Sequence, residues 1–328
     1  MNQVTNKQLW PLSQKNSFFL PSLALSIALL ILSLAAILTR LAEFDLGASA
    51  TVFNRCWIAT VTFALWEGSR VIFSVNPEQE AELSRDITVK DIALFVAESL
   101  MSFGCLFLWA ISLTKTSVAN AHLLHNMTPI FSTLGGWLFL KQEFDKRFLI
   151  GLGVALLASS YIELEDWVIS PSSFTGDMLA LLSSVFYGGS FLCREFLRSK
   201  YSASIILLAS CSLRTIFALF LALATEDLLL PSTQLTWFSV LALGIVVQFF
   251  GHSLLTYSLK YFSSGFATLC LLLDPIITAL LAWKIFDEEL TLLNIIALIG
   301  VIAGIYLASI GRGSQKAIGS QTEDNKPT

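Results

Sequence analysis

Charge is scarce in this chain. Asp, Glu, Lys and Arg make up only 13% of its 328 residues, against 55% hydrophobic, and mean hydropathy reaches +0.72. A soluble globular domain carries about 25% charged residues, so a water-soluble fold is excluded. Histidine is scarcer still, with three in all, and the five cysteines (Cys56, Cys105, Cys193, Cys211 and Cys270) stand in apolar runs without CxxC spacing. They read as small packing residues, and neither a resident metal nor any other cofactor is expected. The sequence has no GxxxxGK[ST] loop to cradle a nucleotide, and no HExxH or nucleophile-elbow spacing. ATP drive within this chain and hydrolytic catalysis are therefore disfavoured, and the protein is read as no enzyme. Nothing points to a nucleic-acid partner.

What the chain has in quantity is apolar sequence. Crossing about 30 Å of hydrocarbon takes about 20 helical residues, and runs of suitable length fall at 18–39, 49–69, 92–113, 118–140, 147–164, 176–193, 203–223, 237–259, 265–286 and 291–310. None shows the period-two alternation of a membrane barrel, and in lipid each segment must satisfy its own backbone. The fold class is thus an all-α integral membrane protein with ten transmembrane helices. The first run lacks a small-residue cleavage site and is read as a retained helix. Outside the runs, residues 1–17 and 311–328 are polar, the latter expected as a disordered tail.

Basic residues orient the chain, because Lys and Arg are retained on the cytoplasmic side. With ten crossings, both termini and the even-numbered gaps share a face that collects fifteen Lys and Arg, from Lys7 to Lys326 and including Arg194, against three on the other. Both termini are expected in the cytoplasm, with the protein in a plasma (inner) membrane.

The runs repeat. Laying Leu108–Ser159 on Leu254–Ile305 without gaps, an offset of 146, pairs Ser112 with Ser258, Ala121 with Ala267, Pro129 with Pro275, Trp137 with Trp283 and Glu143 with Glu289. A second alignment at offset 159 pairs Arg55 with Arg214. The duplication divides the chain into 18–166 and 174–310, five helices each. Five is odd, so the second unit enters the membrane upside down relative to the first. Inverted repeats about an axis in the membrane plane can open a shared central site to either side in turn.

The runs FLWAISLTKTSVANAHLLHNMTPIFSTLGGWLFLKQEF and TYSLKYFSSGFATLCLLLDPIITALLAWKIFDEEL carry a Pro in the fourth helix of each unit and a Glu at its end, and a Gly-containing helix follows each. In this the chain resembles the EamA family of the drug/metabolite transporter superfamily. The resemblance implies two five-helix domains around a central cavity, with Trp57, Trp109, Tyr187 and Tyr257 on cavity-lining helices. The chain departs from the family in lacking a tryptophan-rich first helix, and Gly135 and Gly136 are expected to interrupt the fourth helix.

Ionisable groups inside apolar runs are the expensive ones and need partners or a wet cavity. Asp274 and Arg214 fall near the expected midplane, where they can pair, and Asp274 is equally a candidate for proton coupling. Arg55 and Arg214 serve either ion pairs or an anionic group of a solute. His122, His125 and Asn126 share a helix face above Pro129, and Gln248 and His252 lie one turn apart. His125 is a second proton-coupling candidate, since an imidazole titrates near neutrality. Glu98 is a weaker candidate of the same kind. Pro129 and Pro275 are expected to bend helices four and nine as hinges. Glu143 and Glu289 read as solvated helix ends. Gly300 and Gly304 permit close helix contact within the chain or in a homodimer.

Together these features read as a secondary transporter of small organic solutes, amino acids or related metabolites, with export as the expected direction. A non-transporting sensor or scaffold and an intramembrane enzyme are the alternatives.

Overall fold

A computed structural model describes residues 18–73, 87–163, 174–286 and 292–316. Each of the ten apolar runs is found there as a helix or an interrupted helix. In chain order they are α1 (Phe19–Leu32) with α2 (Leu34–Ala42), α3 (Ala48–Phe73), α4 (Val89–Leu113), α5 (Val118–His125) with α6 (Thr128–Leu140), and α7 (Lys146–Glu163). The second half has α8 (Phe174–Leu197), α9 (Ala203–Thr225), then α10 (Gln234–Ala242), a π-helical stretch (Leu243–Gly251) and α11 (His252–Ser258). It ends with α12 (Ser264–Cys270), a 3₁₀ turn (Leu271–Leu273), α13 (Asp274–Phe286) and α14 (Leu292–Ile310). Among the described residues, five rods are long and apolar enough to cross a membrane by length and composition: 19–42, 89–113, 174–197, 203–225 and 234–258. Large apolar side chains such as Leu65, Phe139, Leu157, Phe220 and Ile299 are exposed on the outside of the bundle, where hydrocarbon rather than water suits them. The protein is an integral membrane protein.

Hydroxyl residues start several of the helices. Ser117 caps α5 by accepting from the Asn120 N–H at 3.1 Å, and Ser263 caps α12 by accepting from the Phe266 N–H at 3.2 Å. These two serines are 146 positions apart, the repeat offset. One turn earlier, Ser112 donates to the Trp109 carbonyl and Ser258 to the Leu255 carbonyl, both at 2.6 Å. The two halves therefore reproduce local hydrogen bonds as well as letters, which side-chain caps make worth about 1 kcal/mol each.

The fourth run is not a bent helix. It breaks at Asn126–Met127, and Pro129 sits in the first turn of the new helix α6. There its missing N–H is one that no helix would use. The Thr128 hydroxyl takes up a carbonyl freed by the break, donating to the His125 oxygen at 2.7 Å. The second copy breaks at the equivalent place, with the 3₁₀ turn ahead of α13 and Pro275 second in that helix. Both prolines thus open helices instead of kinking them, and the discontinuity lies just upstream of each. Gly135 and Gly136 do not interrupt α6, which runs through them. Gly135 instead admits Leu192 of α8, which a Cβ would strike.

Packing follows a two-fold pattern. Numbering the rods one to ten, α4 on α8 (three with six) is matched by α1 and α2 on α11 and α10 (one with eight), and α3 on the π stretch by α9 on α4. The pairs α3–α9, α6–α12 and α7–α14 each join a rod to its own counterpart. Exchanging every rod with the one five later carries this set of contacts onto itself. At the α7–α14 crossing, a Cβ on Gly304 would lie 2.6 Å from both the Ala155 nitrogen and the Gly151 oxygen. The small-residue face of the last helix is therefore spent inside the chain.

Residues 311–316, expected within a disordered tail, fold back onto the bundle. Ser263 donates its hydroxyl to the Gly313 carbonyl at 2.6 Å and its N–H to Ser314 at 3.1 Å. Lys316 reaches the Leu259 carbonyl at 2.6 Å. Glu289 and residues 317–328 lie outside the described residues; Glu143 is exposed, as read from the sequence.

Candidate functional site

Between the halves lies a cavity of about 880 Å³, within the size of small-molecule sites. α7 and α14, packed on each other at the periphery, supply none of its walls. Both breaks face it: Asn126, Thr128 and Pro129 from one half, Leu271, Leu272, Asp274 and Pro275 from the other. Where the broken rods cross, the Ser132 and Thr268 hydroxyls meet at 2.5 Å. A helix interruption frees backbone polar groups, which in a membrane are tolerated only beside protein or a wet cavity.

The cavity brings together nearly all the site residues expected from the sequence. Arg55 of α3 donates through Nε to the Gln248 Oε1 at 3.0 Å and lies 3.3 Å through Nη2 from the His252 Nε2. Accepting that bond places the imidazole proton on Nδ1, an atom buried without a partner. Gln248 in the π stretch and His252 at the start of α11 face one guanidinium, at a kind of segment often found at functional positions. Arg214 of α9 lines the same space, held by the Ser210 carbonyl and the Cys211 sulfur, both at 3.4 Å.

Aromatic rings make another wall. Trp109 lies edge-on to His122 at 5.3 Å and tilted at 6.2 Å from His125. His125 stacks on Tyr187 at 5.5 Å and joins its Nδ1 to the Ser183 hydroxyl at 2.9 Å. The Trp109 Nε1 is buried with no hydrogen-bond partner.

Three expectations need correction. Arg214 and Asp274 share no hydrogen bond or ion pair: the cation whose field reaches Asp274 is Arg55, and the Asp274 Oδ1 is buried with no hydrogen-bond partner. Both residues lie near the middle of their rods and line the cavity, but no bond joins them. Tyr257 is not on the cavity; its hydroxyl meets that of Tyr261 at 3.4 Å. Trp57 likewise points away and donates to the Asn54 Oδ1 at 2.9 Å.

The residue missed is Arg194, counted from the sequence as a loop cation. It is 1% exposed and lines the cavity. Its Nε donates to the Glu98 Oε1 at 2.6 Å and its Nη2 to the Ser102 hydroxyl at 3.0 Å, while Ser102 in turn donates to Glu98 at 2.8 Å. The sixth run, 176–193, stops four positions short of the end of α8 at Leu197; the Arg194–Glu195 pair amid apolar neighbours is the available signal. Glu98 is therefore paired rather than a free relay. Beyond this pair, towards the start of α4 and the end of α8, Glu195 closes the bundle. It accepts from the Gln142 Nε2 at 2.5 Å, from the Ser264 N–H at 2.7 Å and from Lys316 at 2.8 Å. Among the described residues no three His, Cys, Asp or Glu converge as a metal site.

A duplicated set of helices, broken alike in each half around one polar cavity, invites comparison with known sequences. The EamA-like transporter family matches at residues 20–163 and again at 174–310. The chain belongs to that family. Its members are transporters, which agrees with a membrane protein built around a cavity. One solved structure, titled only "Crystal structure of protein", is similar to this EamA family chain with a TM-score of 0.72 over 88% of this chain and 97% of that one. At 16% identity that likeness speaks for the fold alone. No curated relative matches the sequence.

Proposed function

We propose that the protein is a secondary transporter that moves small organic solutes, amino acids or related metabolites, by alternating access, with export as its direction. The observation that carries this reading is the central cavity walled by equivalent interrupted helices of the two halves. Halves related by a two-fold can exchange conformations, so that a site shared between them changes the face it opens to. The odd number of rods per unit and the excess of Lys and Arg in alternate gaps support ten crossings in two inverted repeats with both termini cytoplasmic. On that orientation, the Glu98–Arg194 pair and the Glu195 cluster close the cytoplasmic end. Trp109, Ser117, Ala36 and Val52 line the cavity towards the opposite face, so this conformation is closed inside. The cavity floor offers the hydrogen-bonding and charged groups that hold a polar solute, and its apolar surround excludes water from them.

The test is solute flux in vesicles reconstituted with the full chain. Saturable uptake without chemical change of the solute, accelerated by solute on the opposite side, is the expected result. Product formation without flux would overturn the reading in favour of catalysis, and binding without flux in favour of a sensor.

A further inference from the structure

The charges of this cavity do not balance, and the imbalance defines what fits. Three guanidinium groups line it, Arg55, Arg194 and Arg214, and two carboxylates stand at it, Asp274 on its wall and Glu98 behind Arg194. With Asp274 ionised, three positive against two negative leaves one positive charge. The pairing is also uneven. Arg194 holds Glu98 at 2.6 Å, and Arg214 feels that carboxylate only through space, whereas Arg55 hydrogen-bonds the neutral side chains of Gln248 and His252 and feels Asp274 only through space. Arg214 has a backbone carbonyl and a thiol at the long distance of 3.4 Å. These two cations stand near enough for their fields to oppose each other, and Thr60 and Thr215 join their helices at 3.2 Å. Two like charges whose direct hydrogen-bond partners are all neutral are costly in a low-dielectric space until an anion binds them directly.

Rings supply the rest of the shape: Trp109, His125 and Tyr187 form a contiguous wall, and the Trp109 Nε1 has no partner. Resting on the reading of this cavity as the solute site, we propose that its solute is a planar organic monoanion, an aromatic carboxylate. The carboxylate engages Arg55 and Arg214, and the ring lies against Trp109, His125 and Tyr187. A guanidinium offers a fork matched to a carboxylate, and offset or edge-on stacking favours a flat body over an aliphatic one. A zwitterionic amino acid brings its own positive charge and leaves the excess uncancelled; a neutral amide leaves it likewise. This narrows the amino-acid-related class to its anionic, aromatic members.

Binding to the purified full-length protein in detergent, read by Trp fluorescence, decides the matter with four probes: phenylacetate, phenylalanine, phenylacetamide and cyclohexylacetate. Phenylacetate is expected to bind at least about tenfold more tightly than phenylacetamide and phenylalanine, a difference of about one charge-assisted hydrogen bond, and several-fold more tightly than cyclohexylacetate through ring stacking. Arg214→Gln is expected to erase the preference for phenylacetate over phenylacetamide, and Arg214→Lys to restore part of it. Trp109→Ala is expected to erase the preference over cyclohexylacetate. Equal binding of phenylalanine or phenylacetamide by the unaltered protein overturns the proposal, as does binding of none of the four, and neither result depends on a variant folding. Phenylacetate binding without vesicle flux would sink the transporter reading and leave this one standing. Flux of zwitterions with no anion preference would do the reverse.

Discussion

Asp274 occupies the place that Thr128 holds in the first half, 146 positions earlier, and the exchange of a hydroxyl for a carboxylate is where the two-fold is broken chemically. Thr128 bonds the carbonyl freed by its own helix break, while Asp274 leaves an oxygen unpartnered at the cavity. A carboxylate on the cavity wall with one buried oxygen left unpartnered, able to gain and lose a proton, is suited to coupling. Asp274→Asn is expected to abolish the pH dependence of solute flux while leaving expression unchanged; a pH profile identical to the unaltered protein would remove Asp274 from that role. Arg194 and Glu98 make the opposite case, a buried ion pair at 2.6 Å in which only Glu98 Oε2 and Arg194 Nη1 are left without a hydrogen-bond partner. Arg194→Ala strands a buried carboxylate and is expected to lower stability by about 3–5 kcal/mol, read as a drop in detergent melting temperature. Glu98→Gln combined with Arg194→Gln should recover part of that loss, because no charge is then left alone. His122, His125, Asn126, Arg55, Arg214, Gln248 and His252 were recognisable as residues out of place in apolar runs. Arg194 was not, because a cation at the end of a run reads as solvated until its neighbour is known.

At the scale of elements, the broken rods and the α7–α14 crossing are the informative parts. Prolines at 129 and 275 announced irregular helices, but a one-dimensional pattern does not distinguish a kink from a fresh start. That choice depends on whether the freed carbonyls find partners, and Thr128 supplies one. Gly135 and Gly136 misled for a related reason: glycine in a helix signals either weakness or close approach, and here Leu192 occupies the space. The α7–α14 contact allows no such give, since a Cβ on Gly304 would meet backbone on the facing helix. Gly304→Val is accordingly expected to cost about 1–3 kcal/mol by overpacking and to spread the two helices, checked by thermal unfolding and by crosslinking between cysteines placed at 154 and 302. An unchanged melting temperature would mean that this face is not packed within the chain.

Across the whole molecule, polar ties at the two ends hold the halves to each other. Asp45, between α2 and α3, accepts from the N–H and hydroxyl of Ser232 at 2.8 and 2.5 Å and from the Thr233 N–H at 3.2 Å. These bonds, those of Ser232 foremost, hold its carboxyl below the usual Asp value. A carboxyl depressed in the folded state stabilises it above the ordinary pKa of about 3.9 and loses that contribution as pH falls through the lower, folded value. The tie is thus intact at neutral pH and weakens only in acid. Asp45→Asn should melt earlier at pH 7 and show a shallower loss of stability below about pH 4; parallel acid limbs would show that the tie contributes nothing. At the other end, Lys316→Met removes one partner of Glu195 and is expected to raise the reactivity of a cysteine placed at Ser102 toward a membrane-impermeant thiol reagent added from the cytoplasmic side. Unaltered labelling would mean that the C-terminal strap does not help to close that end.

By itself the sequence determined the helices, their number as apolar runs, the duplication and the small set of polar residues that cannot be there for packing. Those follow from local physics: backbone groups in hydrocarbon must bond within their own segment, and charges there are too costly to be incidental. Which polar groups meet was decided only by the tertiary structure. Rotation about each helix axis put Arg55 against Gln248 and His252, left Asp274 without Arg214, turned Tyr257 away and buried Arg194 against Glu98. Spacing along a helix says which residues share a face, but the direction that face points is set by close packing of small residues between rods far apart in the chain.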